Sequence, residues 1–240
     1  PNNIKAYREL KKIIDGNGYD AVHCHTPMGA VITRLAAKRA RKKGTKVIYT
    51  AHGFHFFKGA SIKNWMLFYP VEKYLSKYTD CLITINSEDC ELAHKKKFRA
   101  GKIYKVHGVG VELDRFKAVD ADEKARLRAE YGYDGDTFIM ISPADLAVGK
   151  NQQMLFDVIQ KIAKKNEKVK LLLPGQPIML EKYKMMVSER GIADKVDFLG
   201  YRRDINNLVG LSDLSVTSSV REGLPINIIE AMAMGNAIVA

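Results

Sequence analysis

The chain has 240 residues, 46% hydrophobic and 28% charged, and a formal net charge of +12. That balance fits a globular protein with one large or two small cores and excludes intrinsic disorder. No run of about 18 apolar residues occurs and no charged-then-apolar leader opens the chain, so the sequence predicts no membrane-spanning helix and a cytoplasmic location. Cys24, Cys81 and Cys90 stand in no CxxC spacing, which predicts neither a disulfide framework nor a structural zinc site.

In chain order, Ile4, Tyr7, Leu10, Ile13 and Ile14 stand at helical spacing and predict a helix over 4–14. A strand follows at 20–25, then a helix at 29–43, a strand at 45–51, a helix at 61–77, a strand at 80–85, a helix at 87–97 and a strand at 102–106. The second half repeats the pattern with a helix at 121–131, strands at 137–142, 168–173, 195–199 and 213–218, and helices between them. Such alternation implies parallel sheets covered on both faces. The irregular stretch from Arg115 to Asp120 is the expected boundary, giving an α/β protein of two Rossmann-like lobes, 1–117 and 118–240. Both lobes read as incomplete, because the chain opens on Pro1 and enters a helix directly, and stops inside a strand at Ala240; a fragment of a longer protein is expected.

The charge changes at the same boundary. Residues 1–117 carry 23 Lys and Arg against 10 Asp and Glu, net +13; residues 118–240 carry 16 against 17, net −1. The densest runs, Lys38 to Lys43 and Lys95 to Arg99, are read either as solvated helix ends, favoured by the helix dipole, or as attraction to anionic lipid head groups or a diphosphate-linked acceptor. No recognition motif or aromatic stacking platform accompanies them, so nucleic acid is not the expected partner.

The chemistry concentrates in Glu222-Gly223-Leu224-Pro225-Ile226-Asn227-Ile228-Ile229-Glu230. The apolar run Leu211 to Ser219 reads as a buried parallel strand, Arg221-Glu222-Gly223 as the turn, and Pro225 as the first residue of a helix ending near Met234, with Gly235 as its stop. Amides around Ile226 and Asn227 then present partial positive charge at the carboxyl end of a strand, where open α/β sheets bind nucleotides. Glu222 and Glu230 are read as acceptors for sugar hydroxyls. The plain alternatives are that Glu222 steadies the helix dipole and Glu230 sits on a solvated face, although the apolar neighbours of Glu230 argue against the latter.

This segment resembles the Glu-x7-Glu signature of the retaining glycosyltransferases of family 4, which have the GT-B fold. Other blocks stand in that family's order: His23-Cys24-His25-Thr26-Pro27, Thr50-Ala51-His52-Gly53-Phe54, Gly108-Val109-Gly110-Val111 with Phe116, Lys150-Asn151, and Phe198-Leu199-Gly200. The stretch Thr50 to Ala60 gives the resemblance a flavour of bacterial capsular and exopolysaccharide enzymes. The resemblance implies a GT-B-type pair of lobes and transfer of a sugar from a nucleotide diphosphate, most simply a UDP-sugar, to a lipid-linked saccharide, with no metal or other cofactor. The partners it implies are that donor, that acceptor and an anionic membrane surface met by the basic lobe, with peripheral attachment at the inner face of the plasma membrane. A nucleotide-sugar 2-epimerase of the same scaffold and a non-catalytic sugar-nucleotide-binding protein are the alternatives.

By the same resemblance Glu230 holds ribose hydroxyls and Glu222 holds donor-sugar hydroxyls beside the anomeric carbon. Lys150 neutralises the departing diphosphate together with amides of the segment Gly223, Leu224, Pro225, Ile226 and Asn227. The family pairs this Lys with an Arg a few residues earlier; Ala144-Asp145 stand there instead, so half of the usual phosphate clamp is missing or supplied elsewhere. His52 is expected to face the donor sugar, the alternative being a loop histidine satisfied by backbone. His25, Thr26 and Phe54 are expected on the acceptor side. His23 and His25 share a strand face and with His52 mimic a metal site, but no acidic ligand lies nearby in sequence, and none is expected. His55 is read as stacking on sugar, touching lipid or packing in the core. Gly175 is read either as letting backbone approach the ligand or as an ordinary turn. Tyr201 and Phe198 are read as an aromatic pair near a uracil base.

Overall fold

The computed structural model describes residues 2–108 and 110–240 and divides into two compact units, Pro1–Val109 and Gly110–Ala240. The first unit runs α1 (Asn2–Asn17), β1 (Ala21–His25), α2 (Pro27–Ala36), α3 (Lys38–Lys42), β2 (Lys46–Ala51), α4 (Ile62–Leu75), β3 (Cys81–Thr84), α5 (Ser87–Lys95) and β4 (Lys102–Lys105). Its four strands pair in parallel in sequence order, with Val22 opposite Val47, Tyr49 opposite Leu82 and Leu82 opposite Ile103. Tyr49, Phe54, Phe56, Leu82 and Phe98 form the core beneath α4. The predicted helix over 29–43 is broken at Ala37 into α2 and α3.

One charged pair lies inside this unit. Arg34 on α2 meets Glu72 on α4 at 2.9 Å, with both side chains under a tenth exposed. The guanidinium also covers the Tyr49 ring at 4.4 Å, and Arg34 Nε donates to the Ala30 carbonyl at 3.0 Å.

The second unit runs α6 (Ala121–Tyr131), β5 (Phe138–Ile141), α7 (Gln152–Ala163), β6 (Val169–Pro174), α8 (Leu180–Glu189), β7 (Val196–Gly200), α9 (Ile205–Leu211), β8 (Leu214–Val216), α10 (Ile226–Ala233) and β9 (Ala237–Val239). The strand order is β7-β6-β5-β8-β9, all parallel, so the order reverses beside β5, where doubly wound sheets place their ligand crevice. Ile139, Met140 and Ile141 of β5, like Leu171 to Leu173 of β6, are buried on both sides, as strands covered by helices on two faces require. Asp213, just before β8, ties the layer together: it accepts from Lys124 at 2.7 Å, Arg128 at 2.6 Å and the Ile139 amide at 2.8 Å. Burial alone would raise its pKa, but the Ile139 amide and the two cations outweigh it and hold the carboxyl below its ordinary range.

Two expectations change here. The division falls at 109/110 and not at 117/118, because Phe116 is buried in the second unit's core and Val111 packs against that core. The strand expected across 211–219 shrinks to β8. Leu211 closes α9, with Ser212 Oγ donating to the Leu208 carbonyl at 2.6 Å; Thr217 still donates its amide to the Val239 carbonyl of β9 at 3.0 Å, and Ser218 and Ser219 leave the sheet.

Candidate functional site

The residues leaving β8 travel toward the loop after β5. Ser218 Oγ donates to the Lys150 carbonyl at 2.9 Å and the Val220 amide donates to the Gly149 carbonyl at 3.1 Å. These bonds set the Glu222 segment against the turn carrying Lys150, and Lys150 Nζ donates to Glu222 Oε1 at 2.6 Å. Two groups 72 positions apart in the chain thus form one charged pair. Their side chains are 34% and 23% exposed, so the pair faces solvent enough to exchange partners with a ligand.

Pro225 stands one position outside the helix, at φ −79° and ψ 89°, so α10 begins at Ile226 and not at the proline as expected. The Ile228 and Ile229 amides turn back to the Pro225 carbonyl at 3.1 and 3.2 Å. The Ile226 and Asn227 amides lack intrahelical acceptors, as the first turn of any helix does. Asn227 contributes in a second way: its Nδ2 donates to the Pro143 carbonyl at 3.0 Å and pins the start of α10 to the loop after β5. Gly235, at φ 69°, ends α10 as its position in the sequence predicts.

One turn further along α10, Glu230 looks into two adjoining recesses. One, of about 510 Å³, is walled by Arg115, Phe116, Tyr201, Arg202 and Arg203; the other, of about 220 Å³, by Pro143, Gly175, Asn227 and again Arg202. The Glu230 carboxylate makes no hydrogen bond or ion pair with the described residues. Burial raises its pKa, opposed by Arg115 and reinforced by Glu112. Arg202 is held in place by Asp204, whose carboxyl accepts from Nε at 2.8 Å and from Nη2, and by the Tyr131 ring at 5.8 Å. The Arg202 hydrogen bonds in turn hold the Asp204 pKa down to about 2.

The position where an arginine is expected has other work. Asp145 Oδ1 accepts from the Gln176 amide at 2.9 Å, and its carbonyl accepts from Gln152 Nε2 at 2.8 Å, so it knits the loop after β5 to the turn after β6. Gly175 sits in that turn, and a Cβ there would lie 2.0 Å from the Ala144 carbonyl oxygen. The glycine therefore serves a close approach of backbone to backbone at the edge of the recess. Phe198 and Tyr201 do not act as a pair: Phe198 packs against the core 6.3 Å from Phe156, whereas Tyr201 is exposed and lines both recesses. Arg115, Arg202 and Arg203 are the site residues that sequence reasoning missed. The one hint was Arg202-Arg203-Asp204 directly after the Phe-Leu-Gly-Tyr strand end.

In the first unit, the ends of β1 and β2 bring His25 Nδ1 and His52 Nε2 to 2.9 Å. The His23 ring lies 4.3 Å from that of His25, and its Nε2 meets Thr50 Oγ1 at 2.9 Å. The alternative of a backbone-satisfied His52 gives way to this histidine partnership. Among the described residues no group of three or more His, Cys, Asp or Glu is arranged to hold a metal ion. Thr26 adopts φ 60° and ψ 146° at the start of α2, a strained conformation for a β-branched residue. Phe54 departs from its expected place. It is 3% exposed, stacks on Phe56 at 4.9 Å and belongs to the core, so its side chain does not face an acceptor. His55 instead is exposed and leans on Phe68 at 4.6 Å.

A reversing parallel sheet with a Lys–Glu pair and an arginine-walled carboxylate at its crevice, accompanied by a second parallel α/β unit, defines the class as a GT-B glycosyltransferase fold. The comparisons agree: residues 123–240 match the family Glycosyl transferases group 1 and residues 2–86 match Glycosyl transferase 4-like. Together the two matches span most of the chain, each to a glycosyltransferase family. It is 48% identical over 240 residues to EpsD of Bacillus subtilis (strain 168), assigned as a glycosyltransferase, covering 100% of this chain and 63% of that one. It is 27% identical over 239 residues to the Escherichia coli UDP-Gal:alpha-D-GlcNAc-diphosphoundecaprenol alpha-1,3-galactosyltransferase, covering 97% of this chain and 60% of that one. Anabaena HepE, in crystals with UDP and glucose, superposes with a TM-score of 0.81 at 22% identity over 96% of this chain and 62% of its own. The chain thus spans about six tenths of the length of these relatives.

Proposed function

We propose that this chain belongs to a retaining glycosyltransferase that moves a sugar from a UDP-sugar to a lipid-linked saccharide during capsule or exopolysaccharide assembly. The observation that carries the reading is the half-buried carboxylate of Glu230 in an arginine-walled recess on α10, the helix whose preceding turn carries Glu222 paired with Lys150. Glu230 accepts from the two ribose hydroxyls, and its partly buried setting strengthens those bonds. Glu222 releases Lys150 and accepts from donor-sugar hydroxyls, while Lys150 turns to the diphosphate and, with the Ile226 and Asn227 amides, stabilises the charge that grows on it as the glycosidic bond breaks. Arg202 supplies the cation that Ala144-Asp145 do not. The acceptor hydroxyl attacks the anomeric carbon from the side the diphosphate leaves, and the departing phosphate oxygen takes its proton. Configuration is kept and no metal takes part.

His52, with His25 fixing its ring, positions a donor hydroxyl, and Thr26 shapes the acceptor side. UDP in the name of the E. coli relative and in the HepE crystals supports the nucleotide, and the diphosphoundecaprenol in that relative's name supports the acceptor class. The setting is the cytoplasmic face of a membrane, met through the basic first unit.

Calorimetric titration of UDP into wild type and Glu230→Ala tests the donor site. Binding by wild type and a loss of about tenfold or more in the variant is the expected result, the scale of a charged hydrogen-bond acceptor removed from a half-buried site. No binding by either protein would sink the nucleotide assignment. UDP release that requires a lipid-linked saccharide, with no epimer formed from donor alone, then establishes transfer.

A further inference from the structure

A recess of about 700 Å³ opens in the first unit away from every residue given a part in the transfer. Five cations line it, Lys11, Lys38, Arg39, Arg41 and Lys42, against one carboxylate, Asp80, among the described residues. Asp80 lies just ahead of β3, and its carboxylate accepts from the Val47 amide at 2.8 Å near the start of β2. His52 follows the other end of β2, and the strand residues from Val47 onward, at about 3.3 Å each, set the two roughly 16 Å apart. The recess therefore lies on the amino-terminal side of this sheet, whereas His25 and His52 meet on the carboxyl side. Its volume is that of a small-molecule pocket.

Two of the five cations are committed. Arg41 forks onto Asp80 through Nε and Nη2 at 2.9 and 3.0 Å and donates to the Lys77 carbonyl at 3.3 Å, and Lys11 pairs with Asp15. Lys38, Arg39 and Lys42 have no carboxylate partner among the described residues. Lys38 and Lys42 stand four apart on α3, a spacing at which like charges repel. The helix break at Ala37 falls within this wall, so the basic run borders a concavity instead of continuing the line of α2. A concavity lined by one sign of charge focuses the field and gathers counter-ions, which a solvated helix end does not. Tyr78, also in the wall, responds to that field: the Tyr74 hydroxyl 3.4 Å away, with Lys38 and Lys77, draws its hydroxyl down to about 8. A guanidinium matches phosphoryl oxygens as a fork and ammonium groups act as point charges, so one multiply charged phosphoryl group answers all three free cations where a single carboxylate does not.

We propose that this recess is a second phosphoryl-binding site, apart from the donor crevice, which holds a small soluble diphosphate or triphosphate on Lys38, Arg39 and Lys42. Its aliphatic wall is confined to Leu35 and Ala36, enough to seat a compact ligand and too little for acyl chains. The inference goes beyond sugar transfer and does not rest on it. All of its residues lie in the first unit, whereas Lys150, Glu222 and Glu230 lie in the second.

The experiment is calorimetric titration of inorganic pyrophosphate into the chain carrying Lys150→Ala, which weakens the donor crevice as a competing site. Binding is expected to persist there, and adding Arg39→Gln with Lys42→Gln should weaken it about tenfold. Both side chains are exposed, and Lys42→Gln alone, expected to cost about threefold, keeps the inference falsifiable if the double change misfolds. Lys161→Gln with Lys164→Gln removes the same charge from the exposed face of α7 and should leave binding unchanged. Pyrophosphate should also raise the lowest tyrosine titration, followed by ultraviolet absorbance and absent in Tyr78→Phe, because an anion beside the ring disfavours tyrosinate. Vesicles of phosphatidylcholine with phosphatidylglycerol, at equal phosphate, should not displace pyrophosphate. UDP binding by Arg39→Gln with Lys42→Gln, Lys150 being intact, should equal wild type, so the donor site and this one fail separately. Equal affinity with and without the two recess cations, an equal loss in the α7 control, an unmoved tyrosine titration or displacement by the vesicles overturns the inference.

Discussion

The two units each hold a cation against a glutamate, and the pairs differ in what surrounds them. Arg34 and Glu72 are sealed in the first unit, 1% and 8% exposed, with a tyrosine ring against the guanidinium. Lys150 and Glu222 stand in the open crevice of the second, with a third and a quarter of their surfaces in water. A sealed pair cannot trade partners, because either charge alone would be stranded in low dielectric. The open pair can, because water and a polar ligand are at hand. Solvent access therefore separates an ion pair that holds a layer together from one able to exchange its partner for a ligand.

The strongest way to break this contrast is Arg34→Ala or Glu72→Ala, expected to cost the first unit about 3–5 kcal/mol in urea unfolding. Asp213→Ala, which strands Lys124, Arg128 and the Ile139 amide at once, should cost the second unit about 2–3 kcal/mol. Because the Asp213 carboxyl is held below its ordinary value, its stabilising share is present above about pH 4 and fades as pH falls from there; the variant should show less acid sensitivity than wild type. Gly175→Ala forces a Cβ toward the Ala144 carbonyl, and a loss of about 1–3 kcal/mol with weaker UDP binding is expected.

Lys150→Ala is the mildest in stability, within about 1 kcal/mol, yet should weaken UDP binding clearly. A Lys150 variant as damaging to folding as Arg34→Ala would erase the distinction between the two pairs. The raised pKa of Glu230 sharpens it: its carboxylate, the form that accepts from two hydroxyls, is lost at less acidic pH than for an ordinary glutamate. UDP affinity should therefore begin to fall, on acidification, at a higher pH than an ordinary glutamate would dictate, and Glu230→Gln should flatten that dependence.

Most of the fold was readable from apolar periodicity. The alternation of β and α elements, the stop at Gly235 and the helix at 121–131 follow from local pattern and turn chemistry. The boundary was not, because Val111 and Phe116 look like linker residues until the core they enter is known. Phe54 misled for a related reason. An aromatic next to His52 and Gly53 has the composition of a ligand loop, and only packing against Phe56 and Phe98 shows that the backbone turns its side chain inward. Within the site, Glu222, Glu230 and Lys150 were legible by motif. The arginines around Glu230 were not, since Arg115 lies 87 positions from Arg202 in the chain and no short pattern unites them.

On the proposed function, the 2.6 Å bond between Lys150 and Glu222 favours ligands that engage both partners at once. A bare phosphate that draws Lys150 away leaves Glu222 to water alone, and a free sugar that claims Glu222 leaves Lys150 likewise. Only a ligand bearing both a diphosphate and a hydroxylated ring compensates the two released partners together. On that proposed function, the resting contact makes an intact sugar nucleotide bind more tightly than UDP alone, and UDP, held also by Glu230, more tightly than bare phosphate.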